Sequence, residues 1–146
     1  MGFEDLLSFA EAVLKDLRPG FLPEEVLIKL FAIFPHNLVI AALDVIDRKN
    51  VIQYTTAWGH TEFEVIGSIA TYSVLLDIKG SSMPYSCSCP AFIYSVMVSR
   101  THIMCKHVLA AHLAHKMNVC ILRQTNVDDL AALFLRQFPM PAKPQG

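Results

Sequence analysis

Residues 85–92 read YSCSCPAF, and residues 105–107 read CKH. The pattern is Cys-x-Cys, then 15 residues, then Cys-x-His. Geometry restricts what these spacings can do. In a strand, residues i and i+2 share a face but start ~6.6 Å apart. Two sulfurs on one tetrahedral zinc ion lie about 3.7 Å apart. Cys87 and Cys89 can therefore share an ion only where a strand curls at its end. Pro90, which cannot continue a ladder, suits such a knuckle. In a helix, i and i+2 point ~200° apart. Cys105 and His107 converge only if Cys105 stands at or before a helix start and His107 lies in the first turn. The helix would then direct its positive end at the thiolates, which is favourable.

Other chemistries compete for the same residues. A disulfide needs two facing cysteines, and a Cys-x-Cys pair bridges itself only with strain. The opening stretch, MGFEDLLSFAEAVLKD, carries early acids and no basic n-region, so it does not read as a secretory signal. The intracellular context this suggests also disfavours disulfides. Three unrelated buried cysteines are a packing alternative, and an iron–sulfur cluster usually takes four thiolates. A Cys-His nucleophile would need an open pair and an oxyanion device, and neither is visible. The pattern favours structural zinc in a closed shell of Cys87, Cys89, Cys105 and His107. His102 is a competitor for the fourth position. His112 and His115, spaced i, i+3, could form a second site but are more ordinarily solvated. Cys120 reads as a buried apolar thiol beyond the helix.

Composition bounds the rest. The chain has 146 residues, 53% of them hydrophobic and 17% charged, with a mean hydropathy of +0.42. Soluble chains average roughly 25% charged. Runs such as LIKLFAIF and NLVIAALDVI fall short of the ~20 apolar residues a membrane span needs. Excess apolar surface implies either a well-filled core or a patch that a partner covers. Net charge is −1 with pI about 6.6, which argues against a free-standing nucleic-acid binder. Residues 78–127 nevertheless carry Lys79, Arg100, Lys106, Lys116 and Arg123 with no acid. These charges either face phosphate or compensate metal-bound thiolates.

Helical periodicity marks three N-terminal helices, about 3–16, 23–34 and 37–48, the third capped by His36 or Asn37. NVIQYTT, EFEVIGS, TYSVLLDI and PYSCSC then read as strands of an antiparallel meander, with Trp58, Phe63, Tyr72, Tyr85 and Phe92 as its core. Helices follow at about 91–98 and 106–117, and a last one at 127–137 is capped by Asn126. The expected fold is α+β. N-terminal helices pack on a three- or four-stranded meander, and the metal joins the hairpin to the next helix. The regions are 1–50 (helical), 51–122 (zinc-binding ββα) and 123–146 (helix and Pro-rich tail).

The same residues carry a family likeness. Cys-x-Cys after a hairpin, a spacer, then Cys-x-His entering a helix resembles the SWIM zinc-binding domain. ALDVIDRKNV, FEVIGS, CSCPAF and CKHVLAAHL, within about residues 40–120, resemble the SWIM subunit family of the Shu complex. That family's pattern continues to an alanine three residues after the histidine, here Ala110. The resemblance implies Zn2+ as cofactor and a non-enzymatic nuclear protein. It implies pairing with RecA-like recombinase paralogs, which promotes recombinase filament assembly on single-stranded DNA in homologous recombination repair. DNA contact would run through the complex, with no membrane partner and no small-molecule substrate. No G-x-x-x-x-G-K-[ST] is present, so ATP chemistry would belong to a partner. Two further readings stay open: a SWIM zinc module that binds DNA directly, and an adaptor for another nuclear complex.

Overall fold

The computed structural model describes residues 2–56 and 59–124. It opens with α1 (Phe3–Lys15), α2 (Glu24–Ile33) and α3 (His36–Asp47). In α1 the acids Glu4 and Asp5 occupy the first turn and Lys15 the last, as the helix dipole favours. Its apolar stripe buries Ala10, Val13 and Leu14. Pro23 starts α2, and the extended Phe34 ends it ahead of Pro35, as the residue before a proline must. The N-cap of α3 is Pro35, not His36 or Asn37, and no side chain caps this helix. The Pro35 carbonyl accepts from Leu38 N and Val39 N at 3.1 and 3.2 Å, so backbone does the work expected of a side chain.

The strands are β1 (Val51–Thr55), β2 (Thr61–Ile66), β3 (Thr71–Leu75), β4 (Ser86–Cys87) and β5 (Ile121–Gln124). They form one sheet in the order β4-β3-β2-β1-β5. The sequence expectation of an antiparallel meander holds for β1 to β4. The sheet is nevertheless mixed and larger than expected, because β5 pairs parallel to β1. The stretch that forms β5 is only four residues long and lacks alternation, so its state is set by a partner strand some seventy residues away. The expected helix at 127–137, its Asn126 cap, the Pro-rich tail and Trp58 all lie outside the described residues.

Alternation gives the sheet one buried face. Val51 pairs with Val65, Phe63 with Val74, and Val74 with Cys87, and all five side chains are buried. Helix α4 (Lys106–Met117) packs against this face, α1 and most extensively α3. It buries Val108, Leu109, Ala110, Ala111, Leu113 and Ala114, so nearly its whole circumference is enclosed. Asn118 ends it in the left-handed region (φ 59°), which asparagine tolerates better than most residues. The chain then turns into β5. The expected short helix after the hairpin is a π-helix, Phe92–Val98, which buries Phe92 and Val96.

A single hydrophobic cluster draws Leu14, Leu30 and Val39 from the first helices, Val65 and Val74 from the sheet, and Leu109 and Leu113 from α4. Cys87, Cys89 and Cys105 belong to the same cluster. No helix among the described residues is long and apolar enough to cross a membrane.

Candidate metal centre

Cys87 is the last residue of β4, so the strand ends where the sulfurs must converge. Ser88 then anchors the turn to β3. Its N–H donates to the Ser73 carbonyl at 3.1 Å, and its hydroxyl accepts from Ser73 N at 2.9 Å. With Ser88 pinned, Cys87 and Cys89 bend toward the same point. Cys105 is the N-cap of α4 in extended conformation, and His107 lies in the first turn. This is the placement that the Cys-x-His spacing required.

The three sulfurs and an imidazole nitrogen all lie within 4.8 Å of one another, and all four residues are buried. Cys87 Sγ stands 3.9 Å from His107 Nδ1. None of the described cysteines is in a disulfide. Three backbone N–H groups point at sulfur: Cys89 N to Cys87 Sγ (3.5 Å), Phe92 N to Cys89 Sγ (3.3 Å) and Val108 N to Cys105 Sγ (3.4 Å). Such donors stabilise thiolate charge and fix the orientation of each ligand. The Tyr72 ring packs on His107 at 4.4 Å between centroids and holds the imidazole from the β3 side.

The electrostatics favour a cation. Hydrogen bonds from Cys105 and Cys87 drive the Cys89 thiol far below its ordinary value. Hydrogen bonds to Cys105 and Cys89, then burial, drive Cys87 far above it. For Cys105 the bond to Cys87 lowers the pKa, but Cys89 and burial outweigh it and push the thiol up to about 12. Packed this closely and buried, the three sulfurs resist ionising together. A divalent ion removes that restriction, since a coordinating thiol is deprotonated outright. Four donors of soft and borderline type, in a buried tetrahedral-sized cluster, fit zinc.

The other candidates fall elsewhere. His102 is not in the cluster, and its Nδ1 meets Thr101 Oγ1 at 3.5 Å. His115 Nδ1, on α4, lies 3.2 Å from Gln53 Oε1 of β1. His112 packs edge-on to Tyr85, and its Nε2 is buried without a hydrogen-bond partner. Burial holds the His112 pKa down to about 4, so the ring is neutral. His112 and His115 form no second cluster with other ligand-type side chains among the described residues. Cys120 was expected to be buried and is half-buried, because it sits in the short link between α4 and β5. Ala110 is fully enclosed.

Besides the Tyr72 packing, sequence reasoning missed two supports. Tyr85 OH donates to the Ile103 carbonyl, tying the strand before the knuckle to the loop before Cys105. Burial pushes its phenol pKa up, which keeps the donor proton in place. Ser88 is the second, its hydroxyl accepting from Ser73 N; a hydroxyl between two cysteines is the signal for such a side-chain-to-backbone bond.

The fold and site define a SWIM-type zinc-finger protein. The SWIM zinc finger family model matches residues 72–116, from β3 to the end of α4. Over most of its length the chain is also similar to curated proteins. It is 37% identical over 128 residues to zinc finger SWIM domain-containing protein 7 of Homo sapiens, covering 86% of this chain and 83% of that one. It is 35% identical over 127 residues to the Mus musculus protein of the same name, covering 86% and 76%. The Danio rerio counterpart is 32% identical over 137 residues, covering 90% and 94%. The chain belongs to the zinc finger SWIM domain-containing protein 7 family, and it binds zinc. No solved structure matches it.

Proposed function

We propose that this chain is the non-enzymatic, zinc-binding subunit of a Shu-type complex in the nucleus. It pairs with a RecA-like recombinase paralog and promotes recombinase filament assembly in homologous recombination repair. Cys87, Cys89, Cys105 and His107 hold Zn2+. The observation that carries this reading is the buried cluster of four protein donors. Four protein ligands fill a tetrahedral ion, and catalytic zinc keeps one position for water or substrate. An ion so enclosed fastens the hairpin to α4 and leaves the outer surface for recognition. The SWIM-subunit resemblance of the quoted stretches supports the choice of partner. The near-neutral charge supports an apolar rather than a phosphate-directed contact.

Co-expression with the RecA-like paralogs of the same organism tests the reading. A stable heteromer in size-exclusion chromatography, little changed between 50 and 300 mM salt, is expected. Direct DNA binding would instead weaken steeply over that range through counterion release. A chain that binds zinc but pairs with no paralog contradicts the proposal.

A further inference from the structure

Cys105 is the extended N-cap of α4 and His107 follows in the first turn, so the His107 backbone stands close to the sulfurs. The imidazole therefore meets the cluster with its near nitrogen. Nδ1 lies 3.9 Å from Cys87 Sγ, close to the roughly 3.6 Å that a sulfur and a nitrogen keep on one tetrahedral zinc ion. A zinc-bound histidine ordinarily donates its other ring N–H to a carboxylate, a carbonyl or water, and a protein acceptor fixes the ring. Here no described residue accepts from Nε2, and that atom is not among the fully buried ones. The ring borders two clefts, one lined by Leu38 and Ala91, the other by Val45 and Gly67. Water can take the Nε2 proton there, but water does not hold a ring in place. Tyr72 does touch the ring, at 4.4 Å between centroids and 37° between planes. Its hydroxyl has no hydrogen-bond partner among the described residues, so what Tyr72 brings to His107 is its ring.

Tyr72 is held in turn by the connection between β2 and β3. Gly67 N donates to the Ala70 carbonyl at 2.8 Å and closes that turn. Gly67 is not in the left-handed region, so no backbone angle demands glycine there. Close approach does. A Cβ on Gly67 would stand 2.8 Å from Ala70 O and 3.0 Å from Tyr72 Cε2. The edge of the Tyr72 ring occupies the space a side chain at 67 would need. We propose that Gly67, Tyr72 and His107 form a stack that makes the β2–β3 turn a positioning element of the zinc centre. Gly67 admits the Tyr72 ring, and Tyr72 holds His107 with Nδ1 toward the ion and Nε2–H outward. Aromatic packing thus does the work of the hydrogen bond that usually orients a histidine ligand. Gly67 and Tyr72 act through His107 and supply no ligand atom. The inference rests on the zinc centre and is independent of the partner named above.

Long-range 1H–15N correlation spectra of the zinc-loaded chain report which ring nitrogen of His107 holds the metal, and chelator competition reports zinc affinity. Wild type is compared with Tyr72→Leu, Tyr72→Phe and Gly67→Ala, and with Val51→Ala as a control at a buried residue of β1. Wild type should show zinc on Nδ1 and the proton on Nε2. Tyr72→Leu should bind zinc at least ~10-fold more weakly, the usual effect of removing a support behind a ligand, and its His107 signals should broaden or double as the ring loses its single orientation. Tyr72→Phe keeps the ring and should match wild type within about twofold. Gly67→Ala, which removes no core side chain, should move both readouts in the direction of Tyr72→Leu, and it carries the test alone should the leucine variant not fold. Val51→Ala should lower the melting temperature and leave the His107 pattern unmoved, which separates positioning from loss of stability. Wild-type ligation through Nε2 overturns the proposal. So does a wild-type pattern with affinity within about twofold in Tyr72→Leu or Gly67→Ala, and so does a loss in Tyr72→Phe as large as in Tyr72→Leu. A chain that takes up no zinc overturns the centre itself.

Discussion

Cys105 has two separable jobs, and substituting it by serine and by alanine resolves them. In the proposed centre it offers one of the three sulfurs of the cluster to the metal ion. As the N-cap of α4 it accepts Val108 N at 3.4 Å. Serine is a good N-cap and a poor zinc ligand, whereas alanine is neither. Structural zinc contributes roughly 10–16 kcal/mol in small zinc-finger domains. An N-cap contributes ~0.5–2 kcal/mol. The first figure matches or exceeds the ~5–15 kcal/mol total stability of a typical domain. Both variants should therefore lose zinc and most of their cooperative stability, with the helical signal of α4 reduced. The serine variant should remain about 1 kcal/mol more stable than the alanine variant, or about 4 °C in melting temperature. Circular dichroism melts with parallel zinc analysis by mass spectrometry read both effects. A variant that keeps one zinc per chain and the wild-type melt refutes the ligand role. Equal melts for serine and alanine refute the capping role.

Three further outcomes follow from the packing. Ala110→Leu forces a larger side chain into a fully enclosed position on α4 and should cost ~1–3 kcal/mol through overpacking; an unchanged melting temperature rejects this. Tyr85→Phe removes the donor to the buried Ile103 carbonyl and should cost about 1–3 kcal/mol, read by urea denaturation, where an unchanged midpoint shows the bond to be idle. His112 is neutral in the fold, and burial holds its pKa down to about 4 from 6.5; Asp77 opposes that shift, while Lys116 and His115 reinforce it. Between pH ~6.5 and ~4 the unfolded chain binds the extra proton, so stability is full above 6.5 and falls as pH drops. The loss is roughly 3 kcal/mol at ~1.36 kcal/mol per pKa unit. His112→Gln should flatten that part of the profile, and an unflattened one assigns the loss to other groups.

The four clustered residues were legible in the sequence because their spacings have few geometric solutions. Cys105 must precede a helix and Cys87 must end a strand, and both do. The first three helices were legible from period and proline punctuation. The cap of α3 was misassigned because His36 and Asn37 are polar and well placed, yet Pro35 already supplies extended backbone and a free carbonyl. Strand β5 carried no local signal, since its pairing with β1 is entirely long-range. The π-helix was legible only as helical, because its i to i+5 ladder depends on the fold around Phe92 and Val96. Support from Tyr72 and Tyr85 was hidden for the same reason: both residues read as core aromatics, and their contacts with His107 and Ile103 exist only after folding.

X-ray absorption at the zinc edge of the purified chain examines the centre most directly. The account predicts one zinc per chain with three sulfurs at ~2.3 Å and one nitrogen at ~2.0 Å. A shell rich in oxygen or with fewer than three sulfurs, or a correctly folded chain free of zinc, would contradict it.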